Sequence, residues 1–263
     1  MNAGADDPPW RGVLDFWFPE GYSLQIDAAT HRGHWSWRMQ GGADSEIIAR
    51  YSGLTARAST GDLDHWAADA KGRLALIILL DQFSRSVWRG SPRAFAQDPA
   101  ALALSTEGLS NGHYAALSTP WHKVVHGLPL RHCEGPDHLD RLDRLVGLRE
   151  DIAAQAPAHL RGIYRSLVNR ARDVRKVIAA FGRHPHRNQV LGRDPTPAEE
   201  AYLKEAISRT RGRSKDETGR PRHRRPHAVP AAMTGAASDA PAIGARENRG
   251  PVPAARTPPP SER

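Results

Sequence analysis

The feature that most constrains this chain is a run of seven apolar residues that ends directly in polar ones. Residues 74–80 are all Leu, Ile or Ala, and Asp81, Gln82 and Arg85 follow at once. An apolar run without polar interruption has no solvent-facing side, so we expect it at the centre of the core. The polar residues that follow then emerge inside the fold, where a buried carboxylate needs a cation beside it.

The residues after this run distinguish a helix from a buried strand. A short apolar run fits either element, but here the pattern continues through Phe83, Val87 and Trp88 without a turn residue. A stretch of about 18 residues is too long for a typical strand. The sequence therefore predicts a central helix over residues 71–88.

Capping residues mark helices on either side of this centre. Asp44 is expected to cap a helix that ends near Ser59. Asp98 and Thr119 each stand directly before a proline, which favours the first position of a helix. These three side chains are therefore predicted to bind backbone N–H groups at the beginning of their helices.

The most regular helical pattern lies later in the chain. Apolar residues recur three or four apart from Leu160 to Phe181, and Gly182 is placed to end that helix. The pattern Thr196 to Glu199 is a capping box. It predicts a last helix that runs to about residue 208.

The body as a whole is predicted to be all-α. It contains no hairpin dipeptide between alternating runs and no alternation of strands with helices. The expected architecture is a multi-helix array, with eight to ten helices joined by short loops.

Most of the positive charge lies after this body. Residues 209–263 hold twelve Lys and Arg against five Asp and Glu, so they carry +7 of the formal net charge of +8. This segment has no apolar period and cannot bury enough surface to offset the entropy of ordering. We therefore predict an all-helical domain over residues 1–208 and a disordered basic tail over residues 209–263. Weak nonspecific contact of the tail with nucleic acid and a merely solvated extension are both consistent with its composition.

Composition also bounds the compartment. Cys133 is the single cysteine, so no intrachain disulfide can form. The first residues show no signal-peptide pattern. The longest apolar run, residues 74–80, is far shorter than the roughly 20 residues that a membrane-spanning helix needs. We expect a soluble, cytoplasmic protein without a membrane partner.

Three segments together resemble a bacterial family. They are residues 13–18, residues 79–99 with the sequence Asp-Gln-Phe at 81–83, and residues 181–200 with Pro-His-Arg-Asn at 185–188. In this order, and over about residues 10–205, they are similar to the family catalogued as domain of unknown function 924. The resemblance implies an all-α fold like that of tetratricopeptide-type helical hairpins, and it implies no established activity.

The chain departs from the family pattern at several positions. The family usually has proline at Ser84, asparagine at Ser86, histidine at Val174 and phenylalanine at His184. It also has a more acidic version of residues 131–133. If the family has a catalytic or ligand site, we expect it to be altered in this chain.

Two arginine-bearing segments flank core helices and predict one shared pocket. Asp81, Arg85 and Arg89 recur every four residues, so they lie on one helical face. The turn after residue 182 supplies the second segment, and Asp81 is expected to bond to Arg183 or Arg187. The candidate ligand-binding residues are Asp81, Gln82, Arg85, Arg89, Arg183, His186, Arg187 and Asn188.

These residues admit more than one interpretation. They could form a buried salt-bridge network that locks helix ends together. They could instead bind a peptide or a small anion, because guanidinium groups pair well with carboxylate and phosphate. The alternative is a hydrolase or transferase with His186 or Asp81 as general base. No catalytic residue is assigned from the sequence.

No metal or cofactor is predicted. His132 and His138 are six residues apart, which matches no common zinc spacing, and no base can be placed beside Cys133. The chain also lacks the phosphate-binding loop, the zinc-protease motif and the nucleophile elbow.

Overall fold

Every regular element in the described part of the chain is helical, as predicted. The computed structural model describes residues 7–216, with side chains over residues 7–206. The α-helices are α1 (Arg11–Trp17), α2 (Ala28–Met39), α3 (Asp44–Ser59), α4 (Ala70–Ile77), α5 (Ser84–Val87), α6 (Asp98–Ser110), α7 (His113–Ala116), α8 (Pro120–His126), α9 (Pro129–His132), α10 (His138–Gln155), α11 (Arg161–Phe181) and α12 (Pro197–Asp216). Short 3₁₀ segments cover Asp64–Ala68, Pro92–Ala94 and Pro185–Arg187.

The predicted central helix is present, but its middle is not α-helical. Helix α4 continues into a π-helical segment, Ile78–Phe83, and then into α5. Residues 74–80 are between 0% and 3% exposed, so the apolar run lies in the core as expected. A π-helical segment widens one turn of a helix and is frequent at functional sites. Here it contains Asp81.

Aromatic side chains of α1 and α3 pack against the π-helical segment. The Phe83 ring lies 5.4 Å from Trp17 and 5.1 Å from Tyr51, measured between ring centroids. Phe16 lies edge-on to Phe83 at 5.9 Å. These distances fall in the range of favourable aromatic pairs, so the packing fixes the segment from one side.

Helices α10 and α11 form an antiparallel hairpin. Glu150 accepts a hydrogen bond from Arg172 at 2.5 Å, and Asp143 accepts one from Arg175 at 2.5 Å. An earlier residue on α10 therefore faces a later residue on α11. Gly182 ends α11 with φ of +68°, the left-handed conformation that glycine adopts without a steric cost.

Two of the expected caps are used differently. Thr119 accepts a hydrogen bond from the backbone N–H of His122 at 3.3 Å, as predicted. Asp44 and Asp98 are instead the first residues inside their helices, and neither caps with its side chain. The Asp44 carboxylate accepts a hydrogen bond from the Ser86 hydroxyl at 2.6 Å. The prediction was wrong at these two positions because hydroxyl and guanidinium groups of other elements bind the two carboxylates.

The capping box of the last helix is confirmed. The N–H of Glu199 donates to Thr196 Oγ1 at 3.3 Å, and the N–H of Thr196 donates to Glu199 Oε2 at 2.8 Å. Helix α12 then extends past the expected end at residue 208, to Asp216. The rest of the predicted tail, residues 217–263, lies outside the described residues. No helix over the described range is long and apolar enough to cross a membrane.

Candidate functional site

The carboxylate of Asp81 is fully buried, and two of the other predicted site residues contact it. His132 Nδ1 lies 2.8 Å from Oδ1 and 2.9 Å from Oδ2, and Gln82 Nε2 donates to Oδ2. Arg85 Nη2 lies 3.4 Å from Oδ1. The partners of Asp81 are therefore Arg85, Gln82 and an imidazole from α9. The predicted bond to Arg183 or Arg187 was wrong.

The two predicted segments do meet, through a carboxylate that neither supplies. Asp98 Oδ1 accepts a hydrogen bond from Arg85 Nη2 at 2.8 Å, and its Oδ2 accepts one from Arg187 Nη1 at 2.8 Å. Asp98 is only 4% exposed. As the first residue of α6, it lies between α5 and the turn after α11 and holds their guanidinium groups side by side.

The hydrogen bonds of His132 define its protonation state. Arg131 Nη2 lies 2.8 Å from His132 Nε2, and because a guanidinium can only donate, this nitrogen must be an acceptor. The proton then lies on Nδ1, where it bonds Asp81. Burial lowers the pKa of His132 to about 3, with Arg85 and Arg131 acting in the same direction against Asp81. The imidazole is therefore neutral at pH 7.

Asp81 stays ionised beside this neutral imidazole. Burial by itself would raise the pKa of its carboxyl group. The Arg85 charge and the hydrogen bonds from His132 and Gln82 outweigh burial and hold that pKa well below its usual value.

The turn after α11 is anchored to the end of α9. His184 Nε2 lies 3.0 Å from the carbonyl oxygen of Arg131, and the His184 N–H donates to Glu134 Oε1 at 2.7 Å. Arg193 Nη1 donates to Glu134 Oε2 at 2.5 Å. His184 is buried, and burial lowers its pKa to about 2, so its imidazole is neutral at pH 7.

Above these groups lies an open cleft of about 510 Å³. The Arg187 guanidinium lies 4.4 Å from the centroid of the Phe95 ring, and that of Arg85 lies 5.5 Å from it, so both are within cation–π distance of one ring. None of the lining residues is acidic. They are Arg85, Arg89, Gly90, Ala94, Phe95, Arg131, His132, Val174, His184, His186, Arg187 and Val190.

Of the predicted site residues, four line this cleft and four do not. Those at the cleft are Arg85, Arg89, His186 and Arg187, and those elsewhere are Asp81, Gln82, Arg183 and Asn188. Asp81 and Gln82 lie beneath the cleft. Arg183 is directed to Glu199, with Nε 2.7 Å from Oε1. Asn188 is buried, and its backbone carbonyl accepts a hydrogen bond from the backbone N–H of Arg193 at 2.8 Å.

Sequence reasoning missed four residues that make the site. They are Phe95, Asp98, Arg131 and His132. His132 lies 51 residues from Asp81, and Asp98 lies 89 residues from Arg187. The signal that could have found two of them is the departure from the family pattern at residues 131–133, which include Arg131 and His132.

Little in the described chain points to metal or thiol chemistry. No group of three or more His, Cys, Asp or Glu side chains over residues 7–206 is arranged to hold a metal ion. Burial raises the pKa of the Cys133 thiol, which disfavours the thiolate that a nucleophile requires.

Comparison with known proteins finds similarity over most of this chain. A solved structure of a protein of unknown function from Agrobacterium tumefaciens is similar, with 28% sequence identity and a TM-score of 0.56. The match covers 74% of this chain and 97% of that one. No curated protein matches the sequence. The family described as bacterial protein of unknown function (DUF924) matches residues 13–206, and this chain belongs to that family.

Proposed function

We propose that this chain is a cytoplasmic binding protein whose cleft takes a small anionic ligand. The ligand would carry a carboxylate or phosphate group, either free or at the end of a peptide. One observation supports this most directly: four arginines and three histidines line the cleft, and no acidic residue in the described part of the chain does. Planar guanidinium groups bind carboxylate and phosphate through paired hydrogen bonds, which suits this lining.

The buried carboxylates favour binding because they hold the arginines in position from behind. Asp98 bonds Arg85 and Arg187 at 2.8 Å each, so a ligand would meet guanidinium groups already ordered. Groups ordered in advance lose less conformational entropy when a ligand binds. The bond to Asp98 uses only Nη1 of Arg187, one of its three guanidinium nitrogens. The cleft volume of about 510 Å³ suits a small molecule.

Isothermal titration of the full chain with inorganic phosphate and with succinate tests this proposal. At low ionic strength near pH 7.5, we expect saturable binding of at least one of them. The Arg187→Met variant should bind at least about tenfold more weakly, because a hydrogen bond to a charged group contributes about 1.5–3 kcal/mol.

Arg183→Met is the matched control. It removes the same charge from the same turn, but Arg183 faces Glu199 and does not line the cleft. We expect its affinity to stay within about twofold of the parent chain. Equal losses in both variants would show that only the net charge matters, and the cleft would then not be the binding site.

A second candidate function rests on the Asp81–His132 pair. A carboxylate that accepts the Nδ1 proton of a neutral imidazole is the arrangement of a general base. Nε2 would be the basic atom, which requires that a substrate displace the Arg131 guanidinium that bonds it here. His132 would then be the base of a hydrolase or transferase, instead of Asp81 or His186. Hydrolysis of p-nitrophenyl phosphate or p-nitrophenyl acetate that is lost in His132→Asn would support an enzyme. Turnover that persists in this variant would exclude His132.

A further inference from the structure

A second cavity lies on the other side of Arg131. Its volume is about 610 Å³, and its walls come from α2, α8, α9, α10 and α11. Arg131 lines both this cavity and the cleft described above, but the other lining residues differ. This cavity is referred to below as the α2–α11 cavity.

The floor of the α2–α11 cavity contains a buried arginine with incomplete hydrogen bonding. Arg149 on α10 is 4% exposed. Its Nη2 donates to the carbonyl oxygen of Val124 at 2.7 Å, but its Nη1 is buried and has no hydrogen-bond partner among the described residues. A buried cation without a counter-charge is costly, and this cost is relieved when an anion binds it.

Among residues 7–206, no acidic side chain lines the cavity. Its charged side chains are Arg32, Arg131, Arg149 and Arg170. Burial lowers the pKa of Arg149 to about 9 and that of Arg131 to about 10, so both still carry their charge near pH 7. The cavity therefore has an excess of positive charge, and none of these four arginines forms a salt bridge with a described residue.

The remaining walls are mostly apolar. Trp35 from α2, Val124 from α8, Leu145 from α10, and Ile163 and Leu167 from α11 all line the cavity. A small hydrated dianion would leave these side chains without a partner. A ligand that fills the space needs an apolar body as well as a charged head.

We propose that the α2–α11 cavity binds a carboxylate with an apolar body, such as a medium-chain aliphatic acid. The carboxylate bonds Arg149, and the chain packs against Trp35, Ile163 and Leu167. This site is separate from the arginine cleft, and it does not depend on what that cleft binds.

Titration calorimetry of the full chain with octanoate tests the proposal. We expect one octanoate per chain, with octan-1-ol at least about tenfold weaker because it lacks the charged head. Acetate, which lacks the apolar body, should also bind at least about tenfold more weakly. Absence of octanoate binding, or equal binding of octan-1-ol, would overturn the proposal. This comparison uses the parent chain, so it does not depend on the folding of a variant.

Three variants locate the site. Arg149→Met should reduce octanoate affinity at least about tenfold, because it removes the buried head-group partner. Arg144→Met removes the same charge from an exposed position on the same helix and should leave the affinity within about twofold. Arg187→Met should also leave it unchanged. Octanoate affinity that depends on Arg187 but not on Arg149 would place the ligand in the arginine cleft and refute this assignment.

Discussion

Removal of the Asp98 carboxylate should destabilise the domain strongly, because two guanidinium groups depend on it. Asp98→Ala leaves the Arg187 side chain, which is 5% exposed, without the only carboxylate it contacts in the described chain. Arg85 keeps Asp81, but at the longer distance of 3.4 Å. Breaking a buried ion pair from one side costs about 3–5 kcal/mol. That is a large share of the roughly 5–15 kcal/mol that stabilises a typical domain.

The free energy of unfolding is measured by urea titration near pH 7.5, followed by tryptophan fluorescence. The midpoint should fall while the slope against urea stays the same. Asp143→Ala is the matched control, because Asp143 pairs with Arg175 on the outside of the α10–α11 hairpin and both side chains are exposed. Exposed pairs contribute little, so the control should lose far less stability.

The double variant Asp98→Ala, Arg187→Met separates the buried charge from the lost packing. It removes the stranded cation, so it should be more stable than Asp98→Ala alone. A loss below about 1 kcal/mol in Asp98→Ala would correspond to a solvent-exposed pair and refute the burial argument. A double variant that is less stable than the single one would also contradict it.

Three further outcomes are expected. Asp81→Ala should lower the free energy of unfolding by about 2–3 kcal/mol in the same urea assay. This loss is smaller than that of Asp98→Ala because Arg85 keeps its bond to Asp98. A larger loss would mean that Asp98 does not compensate for the missing Asp81 carboxylate. Burial holds the pKa of His126 at about 3, while in the unfolded chain it is about 6.5, so the unfolded state binds the proton first as the pH falls. Stability should therefore decline below about pH 6.5, by about 1.4 kcal/mol per pH unit from this group, and His126→Leu should reduce the difference between urea midpoints at pH 7.5 and 5.5. Gly182→Ala should cost about 1–2 kcal/mol of stability because Gly182 has a positive φ. Gly162→Ala should cost nothing, because a Cβ at that position meets no atom within 4 Å. Equal shifts of the melting temperature in the two variants would show that the backbone at residue 182 relaxes.

Much of the helical framework was predictable because its causes are local. The apolar run at residues 74–80 required burial, and the continuation of its pattern to Trp88 excluded a strand. Gly182, Thr119 and the Thr196–Glu199 capping box act on backbone groups within a few residues of themselves. For these elements the nearest hydrogen-bond partners are set by the sequence itself, so the expected and observed structures agree.

The site was less predictable because its contacts join distant parts of the chain. Asp44 and Asp98 both look like helix caps, but packing brings Ser86 to one and Arg85 and Arg187 to the other. At Asp98, which is buried, a charged hydrogen bond in a dry interior is stronger than a solvated cap, so the distant partner is preferred once the helices are assembled.

The sequence alone therefore determined that this chain is a helical body built around one apolar helix. It also showed that arginine-bearing segments follow that helix and the later helix that ends at Gly182. Only the tertiary structure decided which carboxylate meets which cation, and that Asp81 lies in a π-helical turn opposite His132. It also decided that Arg149 is buried with no counter-charge among the described residues. The physical reason is range: caps and periodic burial depend on neighbours along the chain, whereas the partner of a buried charge depends on which group the packed helices bring within about 3 Å.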